Sequence, residues 1–341
     1  MKLHEIPKDI RWGRRLITTP LWFLLAILMP VLTIVSLPLL VLYDLIKRSD
    51  LSATRTAIYF SYFFLNESSG LVIALGIWLR YKLGLLKENE YELANRRLQR
   101  RWSRGLFWST NRIFSLKVSI DGLEALEDPR PCVVMSRHAS TLDTMLPLAV
   151  VRELKWFRYV IKSELLIDPA LDYVAQRFPN VFVNRGGSDP EFEIQKVLAL
   201  GTELEENGAV VVYPEGTRFS KEKRARLLEK FSHDPVLKAV TESLRYTLPP
   251  LREGSVRLIS STPNADLVFI AHRGVDKIRA MSDLISGGMT NAHLEVLIWR
   301  YKAEDVPREP DAVRDFMVKN WQRIDAFVAQ GESIELSVEG R

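Results

Sequence analysis

The sequence predicts an α/β domain, a mixed central sheet flanked by helices, preceded by an N-terminal membrane-anchoring helical region. Three observations lead there. Residues 21–43, LWFLLAILMPVLTIVSLPLLVLY, carry no charge and are long enough to cross a hydrocarbon core of about 30 Å as a helix. Beyond Gly105 the chain changes to short β-branched runs alternating with amphipathic stretches, the pattern of a sheet covered by helices. A hydrophobic content of 47% over 341 residues is enough for a substantial core and excludes a disordered chain.

Taken in order, the first apolar run is too long for a signal-peptide core and lacks a small-residue cleavage site, so it reads as a retained anchor. Pro30 and Pro38 are expected to kink it, and a re-entrant hairpin is the alternative. A second apolar run covers 57–79, interrupted by Asn66, Glu67, Ser68 and Ser69. A carboxylate at mid-bilayer is costly, so the run is either a second span or two interfacial helices meeting at that polar break. Lys47, Arg48, Arg55, Arg80 and Lys82 flank the apolar pieces and favour a cytosolic N-terminus. Residues 1–87 are therefore read as the anchor. Residues 88–104 place Tyr91, Ala94, Leu98 and Trp102 at helical spacing among five arginines, which suits a basic interfacial helix; packing on the following domain is the plainer reading.

The remaining 105–341 should form the α/β domain. Expected strands are 132–136, 157–161, 181–184, 209–213, 266–271 and 294–299, and expected helices are 143–153, 168–177, 189–206 and 311–328. Several of these helices begin at an Asp suited to N-capping. The basic KEKRAR cluster at 221–226 reads as a solvated loop or helix start, with phospholipid or carrier-protein contact as the second reading. Lys plus Arg number 47 against 42 Asp plus Glu, a net charge of +5 that suits an anionic partner such as a membrane surface or a phosphorylated substrate. Cys132 is the only cysteine, so no internal disulfide forms, and no Cys/His spacing suggests a metal. A reducing, cytoplasm-facing domain fits.

Chemistry concentrates at three expected strand ends. The segment CVVMSRHASTLD runs an apolar strand into His138, with Asp143 five positions later. On one continuous helix five residues turn through roughly 140°, so the pair meets only across a turn. There the carboxylate would accept the imidazole Nδ1–H and leave Nε2 for a substrate, as a general base requires. The segment VVVYPEGTRFS releases Glu215, Gly216, Thr217 and Arg218 into a loop, and NVFVNRGG ends a third strand in Arg185. Gly216 permits close backbone approach, and arginine offers phosphate two parallel hydrogen bonds. Each loop alone would pass for a turn with a surface arginine, but α/β folds gather ligands at carboxyl ends of strands. His4, His233, His272 and His293 have no partner at ligand spacing and are read as structural. Glycine-rich nucleotide motifs and H-E-x-x-H are missing.

The ordered set H-A-S-T-L-D, F-V-N-R, Y-P-E-G-T-R-F-S and T-L-P-P resembles the four blocks of the glycerolphosphate and lysophosphatidate acyltransferase family, in the branch of lysophosphatidate and lysocardiolipin acyltransferase-like membrane enzymes. The resemblance covers roughly Gly105 to Arg273. The departure is Leu251-Arg252-Glu253-Gly254 after the prolines. It implies an O-acyltransferase of phospholipid biosynthesis in which His138 is the base, Asp143 its orienting partner, and Arg185, Glu215, Gly216, Thr217 and Arg218 the phosphate and glycerol site. Pro249 and Pro250 would form its wall. The implied acceptor is a lysophospholipid, 1-acyl-glycerol-3-phosphate foremost, with acyl-CoA or acyl carrier protein as donor substrate. Neither a bound cofactor, nor a metal, nor a nucleic-acid partner is expected. A lipase or thioesterase, and a scaffold that merely retains the fold, are the rival readings.

Overall fold

The computed structural model describes residues 8–140, 142–151, 156–184, 189–250, 253–276, 278 and 281–339. The chain opens with three long helices, α1 (Trp12–Lys47), α2 (Ser52–Lys82) and α3 (Glu88–Phe114). The α/β part follows as β1 (Lys117–Asp121), α4 (Leu123–Glu127), β2 (Cys132–Ser136), α5 (Leu146–Val150), β3 (Trp156–Lys162), α6 (Pro169–Tyr173), β4 (Val181–Val183) and α7 (Pro190–Ala199). It continues with β5 (Gly208–Val212), α8 (Lys221–Lys230), α9 (Pro235–Ser243), α10 (Glu253–Ser261), β6 (Asp266–Arg273), α11 (Met281–Ile285), β7 (His293–Tyr301) and α12 (Pro310–Glu339).

The strands form one sheet in the order β1-β7-β6-β2-β5-β3-β4. β6, β2, β5, β3 and β4 run parallel, whereas β7 runs antiparallel to β6 and carries β1 parallel to itself, so the sheet is mixed. Strand alternation divides the core in two. Val133, Met135, Val210, Val212, Leu267 and Phe269 point to the face covered by α10 and α12, where Trp321 is fully buried. Cys132, Val134, Ala209, Val211, Val268 and Ile270 point to the other face, against Leu146 and Leu148 of α5. β1, which the sequence reading missed, is an edge strand with only its alternate residues half-buried, so it lacks the apolar run that marks the inner strands.

The two apolar helices are long and apolar enough to cross a membrane. They pack as an antiparallel hairpin, tied by Thr33 to Ser61 at 2.9 Å and by Ser68 to the Trp22 carbonyl at 3.4 Å. Asp44 at the end of α1 accepts the N–H groups of Ala53 and Thr54, at 3.0 and 2.9 Å, and so caps the first turn of α2. Two expectations need correction. α1 runs as one helix through Pro30 and Pro38, so the re-entrant hairpin does not form, and α2 is not broken at Asn66–Ser69 but continues through them. Glu67 is wholly buried against the protein, where Trp102 Nε1 donates to it at 2.6 Å. The polar interruption therefore faces a partner helix and needs no break. α3 likewise extends past 104 to Phe114 and packs against α2 and α5, burying Leu98, Leu106 and Phe114.

The hairpin is joined to the α/β part through α6. Arg14 donates to both oxygens of fully buried Asp172, at 2.9 and 3.0 Å, and Arg15 Nη2 donates to its carbonyl and carboxylate at 2.8 and 3.1 Å. Arg177 reaches the Ala74 carbonyl of α2 and Asn95 of α3, both at 3.0 Å. Expected Asp caps are present at Asp168 and Asp189, whereas α12 is capped by Glu309. The KEKRAR cluster lies in α8, a helix with no buried residue and a Ser220 cap.

Candidate active site

β2 lies between β5 and β6 in the middle of the sheet, and the residues that follow these three parallel strands meet at one end. β2 ends at Ser136, and the chain turns so that His138 Nδ1 lies 3.0 Å from Asp143 Oδ1. This turn exists because Asp143 Oδ2 accepts the N–H groups of Ala139 and Ser140, at 2.7 and 2.8 Å, which folds the intervening backbone around the carboxylate. Asp143 thus shapes the loop rather than capping a helix, and a short 3₁₀ turn at Leu142–Thr144 replaces the start of the expected helix. The carboxylate is 2% exposed. Burial alone would raise its pKa, but hydrogen bonds from His138 and His272 outweigh it and hold the group below the usual carboxylate range. An anionic Asp143 accepts Nδ1–H and leaves the Nε2 lone pair of His138 directed elsewhere.

The loop after β5 supports this pair. Gly216 has φ +69° and its N–H closes a turn onto the Tyr213 carbonyl at 2.8 Å, a conformation that favours glycine. The turn buries Glu215 between two backbone donors: Oε1 accepts from His138 N–H at 3.1 Å and Oε2 from Leu248 N–H at 3.0 Å. Burial pushes the Glu215 carboxyl up to about 7, against the pull of Arg137 and these donors. Phe219 N–H donates to the His138 carbonyl at 3.1 Å, while the Tyr213 ring lies 4.8 Å from the imidazole and its hydroxyl donates to the Asp143 carbonyl at 3.2 Å. His138 is therefore fixed at its N–H, its carbonyl, its Nδ1 and one ring face.

Of the residues singled out in the sequence, the structure brings together His138, Asp143, Glu215 and Gly216, with Pro249 and Pro250 buried just beyond Leu248. Glu215 turns its two oxygens to backbone donors, which ties the loop after β5 to His138 and Leu248. Thr217 Oγ1 and the Arg218 carbonyl each accept from Lys223 Nζ at 2.8 Å, and Arg218 is exposed in the same loop. Arg185 lies outside the described residues. The loop bearing the prolines is held from behind by Asp325 of α12, which accepts the N–H groups of Arg245 and Tyr246 and the hydroxyl of Thr247, at 3.0, 2.7 and 2.9 Å.

Sequence reasoning missed Arg137 and His272. Arg137 is 1% exposed and donates to the carbonyls of His272 and Tyr246, at 2.8 and 3.0 Å, beside an ion pair with Asp276. His272, read as structural, stands 3.4 Å from Asp143 Oδ2. Its partners, Arg137 and Asp143, lie in the segment after β2, far away in the chain, so no local spacing could have announced it. Among the described residues no cluster of three or more metal-ligating side chains occurs. A cavity of about 600 Å³ opens at the opposite ends of β3 and β5, lined by Trp156, Phe157 and Arg96 among others, and contains none of the residues above.

Residues 117–274, the stretch that holds β1, β2, the His138 and Glu215 loops and β6, match the family model described as Acyltransferase. A curated relative, the 1-acyl-sn-glycerol-3-phosphate acyltransferase of Pseudomonas aeruginosa, is 26% identical over 171 residues, which are 50% of this chain; the chain spans 61% of that protein's length. Among solved structures, the 1-acyl-sn-glycerophosphate (LPA) acyltransferase PlsC from Thermotoga maritima matches with a TM-score of 0.53 at 14% identity, over 80% of this chain and 97% of that one, a likeness of fold. With its mixed sheet and its block order, that stretch of the chain is similar to the acyltransferase family.

Proposed function

We propose that this protein is an O-acyltransferase that moves a fatty acyl group from a thioester to the free hydroxyl of a lysophospholipid, with 1-acylglycerol-3-phosphate as the acceptor. The observation that carries the reading is the His138–Asp143 pair, with Nδ1 committed to a buried carboxylate whose second oxygen is already held by two backbone N–H groups. That arrangement fixes one tautomer and makes Nε2 a base. In the reaction Nε2 takes the hydroxyl proton as the acceptor oxygen attacks the thioester carbonyl. The new C–O bond forms, the C–S bond breaks, and the departing thiolate recovers the proton from the imidazolium. Arg185 and Arg218 serve the acceptor's phosphate, by the planar two-point donation that arginine offers. The 1-acyl-sn-glycerol-3-phosphate acyltransferase name of the Pseudomonas relative supports the choice of acceptor. The donor is an acyl-CoA or an acyl carrier protein, used as a substrate; nothing is retained as a bound cofactor.

The α1–α2 hairpin serves as the membrane anchor, with the α/β domain on the cytoplasmic side. Its large exposed apolar side chains, Leu24, Ile27, Ile34, Val35 and Leu39 among them, are suited to lipid. Purified protein offered a panel of lysolipids with each donor, with products read by mass spectrometry, tests the whole reading. Diacyl product from lysophosphatidate is expected; free fatty acid alone would make it a hydrolase, and no turnover with any pair would leave a scaffold.

A further inference from the structure

His272 and His138 are far apart in sequence, but the parallel pairing of β2 with β6 sets Ser136 opposite Ile270, and two residues further along the chain from each stand these two histidines, His138 just past the end of β2 and His272 within β6. Each lies near a different oxygen of one carboxylate. His138 Nδ1 lies 3.0 Å from Asp143 Oδ1, and His272 Nε2 lies 3.4 Å from Oδ2 and 3.1 Å from the Arg137 carbonyl. A carbonyl and a carboxylate only accept, so Nε2 of His272 carries the hydrogen. The link is reciprocal, because Arg137 Nη1 donates to the His272 carbonyl at 2.8 Å while the His272 ring donates to the Arg137 carbonyl.

The ring is 1% exposed and its Nδ1 has no hydrogen-bond partner among the described residues. A buried polar atom without a partner costs stability, and a hydrophobic side chain on this all-buried strand would avoid that cost. The imidazole is thus not explained by core packing, and what it contributes is its Nε2–H.

We propose that His272 is a positioning residue for acyl transfer: its Nε2–H, bonded to the carbonyl before His138 and 3.4 Å from the far oxygen of Asp143, keeps both in place so that Oδ1 meets His138 Nδ1 squarely. This rests on reading His138 as the base. With Ala139 N–H, Ser140 N–H and His272 Nε2–H around Oδ2, the carboxylate cannot rotate to offer that oxygen to His138, and part of its charge is drawn away from the pair. The ionisable groups around Asp143 and His272 are His138, Arg137, Asp276, Glu215 and Tyr213.

The test compares His272→Phe, His272→Gln and His272→Asn with the wild type and His138→Ala in detergent, varying both substrates and recording kcat/KM against pH. His272→Phe keeps volume and removes the donor. It should lower kcat roughly tenfold to hundredfold with both KM values within about twofold, the signature of misalignment rather than lost binding. Without that donor more charge stays on Asp143, the His138 imidazolium is better stabilised, and the acid limb of kcat/KM moves to higher pH. Gln can place its amide N–H where Nε2 stood and should restore most of the rate; Asn is too short and should not. A folded His272→Phe protein with wild-type kcat and an unmoved acid limb would overturn the proposal, provided His138→Ala is inactive. If His138→Ala is active, the base itself is misassigned. If the Phe variant fails to fold, the Gln and Asn variants decide: equal rates for the two refute the role.

Discussion

Replacing Asp143 with Asn removes a charge and asks which atom of the new amide faces His138. In the wild type Oδ2 faces several donors, the N–H groups of Ala139 and Ser140 at 2.7 and 2.8 Å and His272 Nε2 at 3.4 Å, while among the described residues Oδ1 receives His138 Nδ1–H. The amide oxygen must therefore take the Oδ2 position, since the NH₂ group there would confront three donors. That leaves NH₂ pointing at His138, which can accept only by presenting an unprotonated Nδ1. The proton then sits on Nε2, the atom proposed to take the substrate's proton, and the base is blocked. A wrong-tautomer change of this kind lowers kcat on the order of 10³–10⁴-fold, equivalent to about 4–5.5 kcal/mol of transition-state stabilisation. Because the loop keeps its two N–H bonds to the amide oxygen, the Asp143→Asn protein should fold and its KM values should hold. Steady-state transfer by the purified variant in detergent, with circular dichroism and a thermal melt as fold controls, measures this. A folded variant with wild-type kcat would refute the tautomer argument, and with it the role of the pair.

His138→Ala should abolish transfer while leaving a folded, membrane-bound protein, and a wild-type rate from that protein would remove His138 as the base. Arg218→Lys keeps the charge but loses the planar fork, so kcat/KM for phosphorylated acceptors should fall by roughly tenfold to hundredfold, the worth of a charged hydrogen bond. A defect confined to the acyl-donor KM would move Arg218 to the donor side. Replacing both Arg14 and Arg15 with Ala strands the wholly buried Asp172 carboxylate, which should destabilise the junction of hairpin and domain by about 3–5 kcal/mol; an unchanged thermal midpoint would contradict the structural role given to that ion pair. Asp143 has a pKa held below the 3.8 of a free carboxyl. Its contribution to stability is therefore present above that value and lost as pH falls below it, so denaturant midpoints of wild type and Asp143→Asn should converge on the acid side. Parallel curves down to the acid transition would contradict that sign.

Much of the molecule is legible locally. An uncharged run of 23 residues at 21–43 must find an apolar environment in any fold, and the valine-rich runs before His138 and Tyr213 are buried on both faces because only inner strands of a covered sheet tolerate them. The meeting of His138 with Asp143 is also local, a turn closed by side chain to backbone bonds over four or fewer intervening residues. What the sequence could not decide are contacts made between elements distant in the chain. Glu67 looked like a break in a membrane helix until Trp102 of α3 supplied its donor, Glu215 meets the backbone of His138 and Leu248 from distant parts of the chain, and His272 looked like ordinary core until strand register set it beside Asp143. A buried polar side chain takes its meaning from the partner that satisfies it, and in these three cases that partner comes from another element. Sequence determined which residues want to be strands, turns and apolar helices; tertiary structure alone decided which polar groups they would have to share.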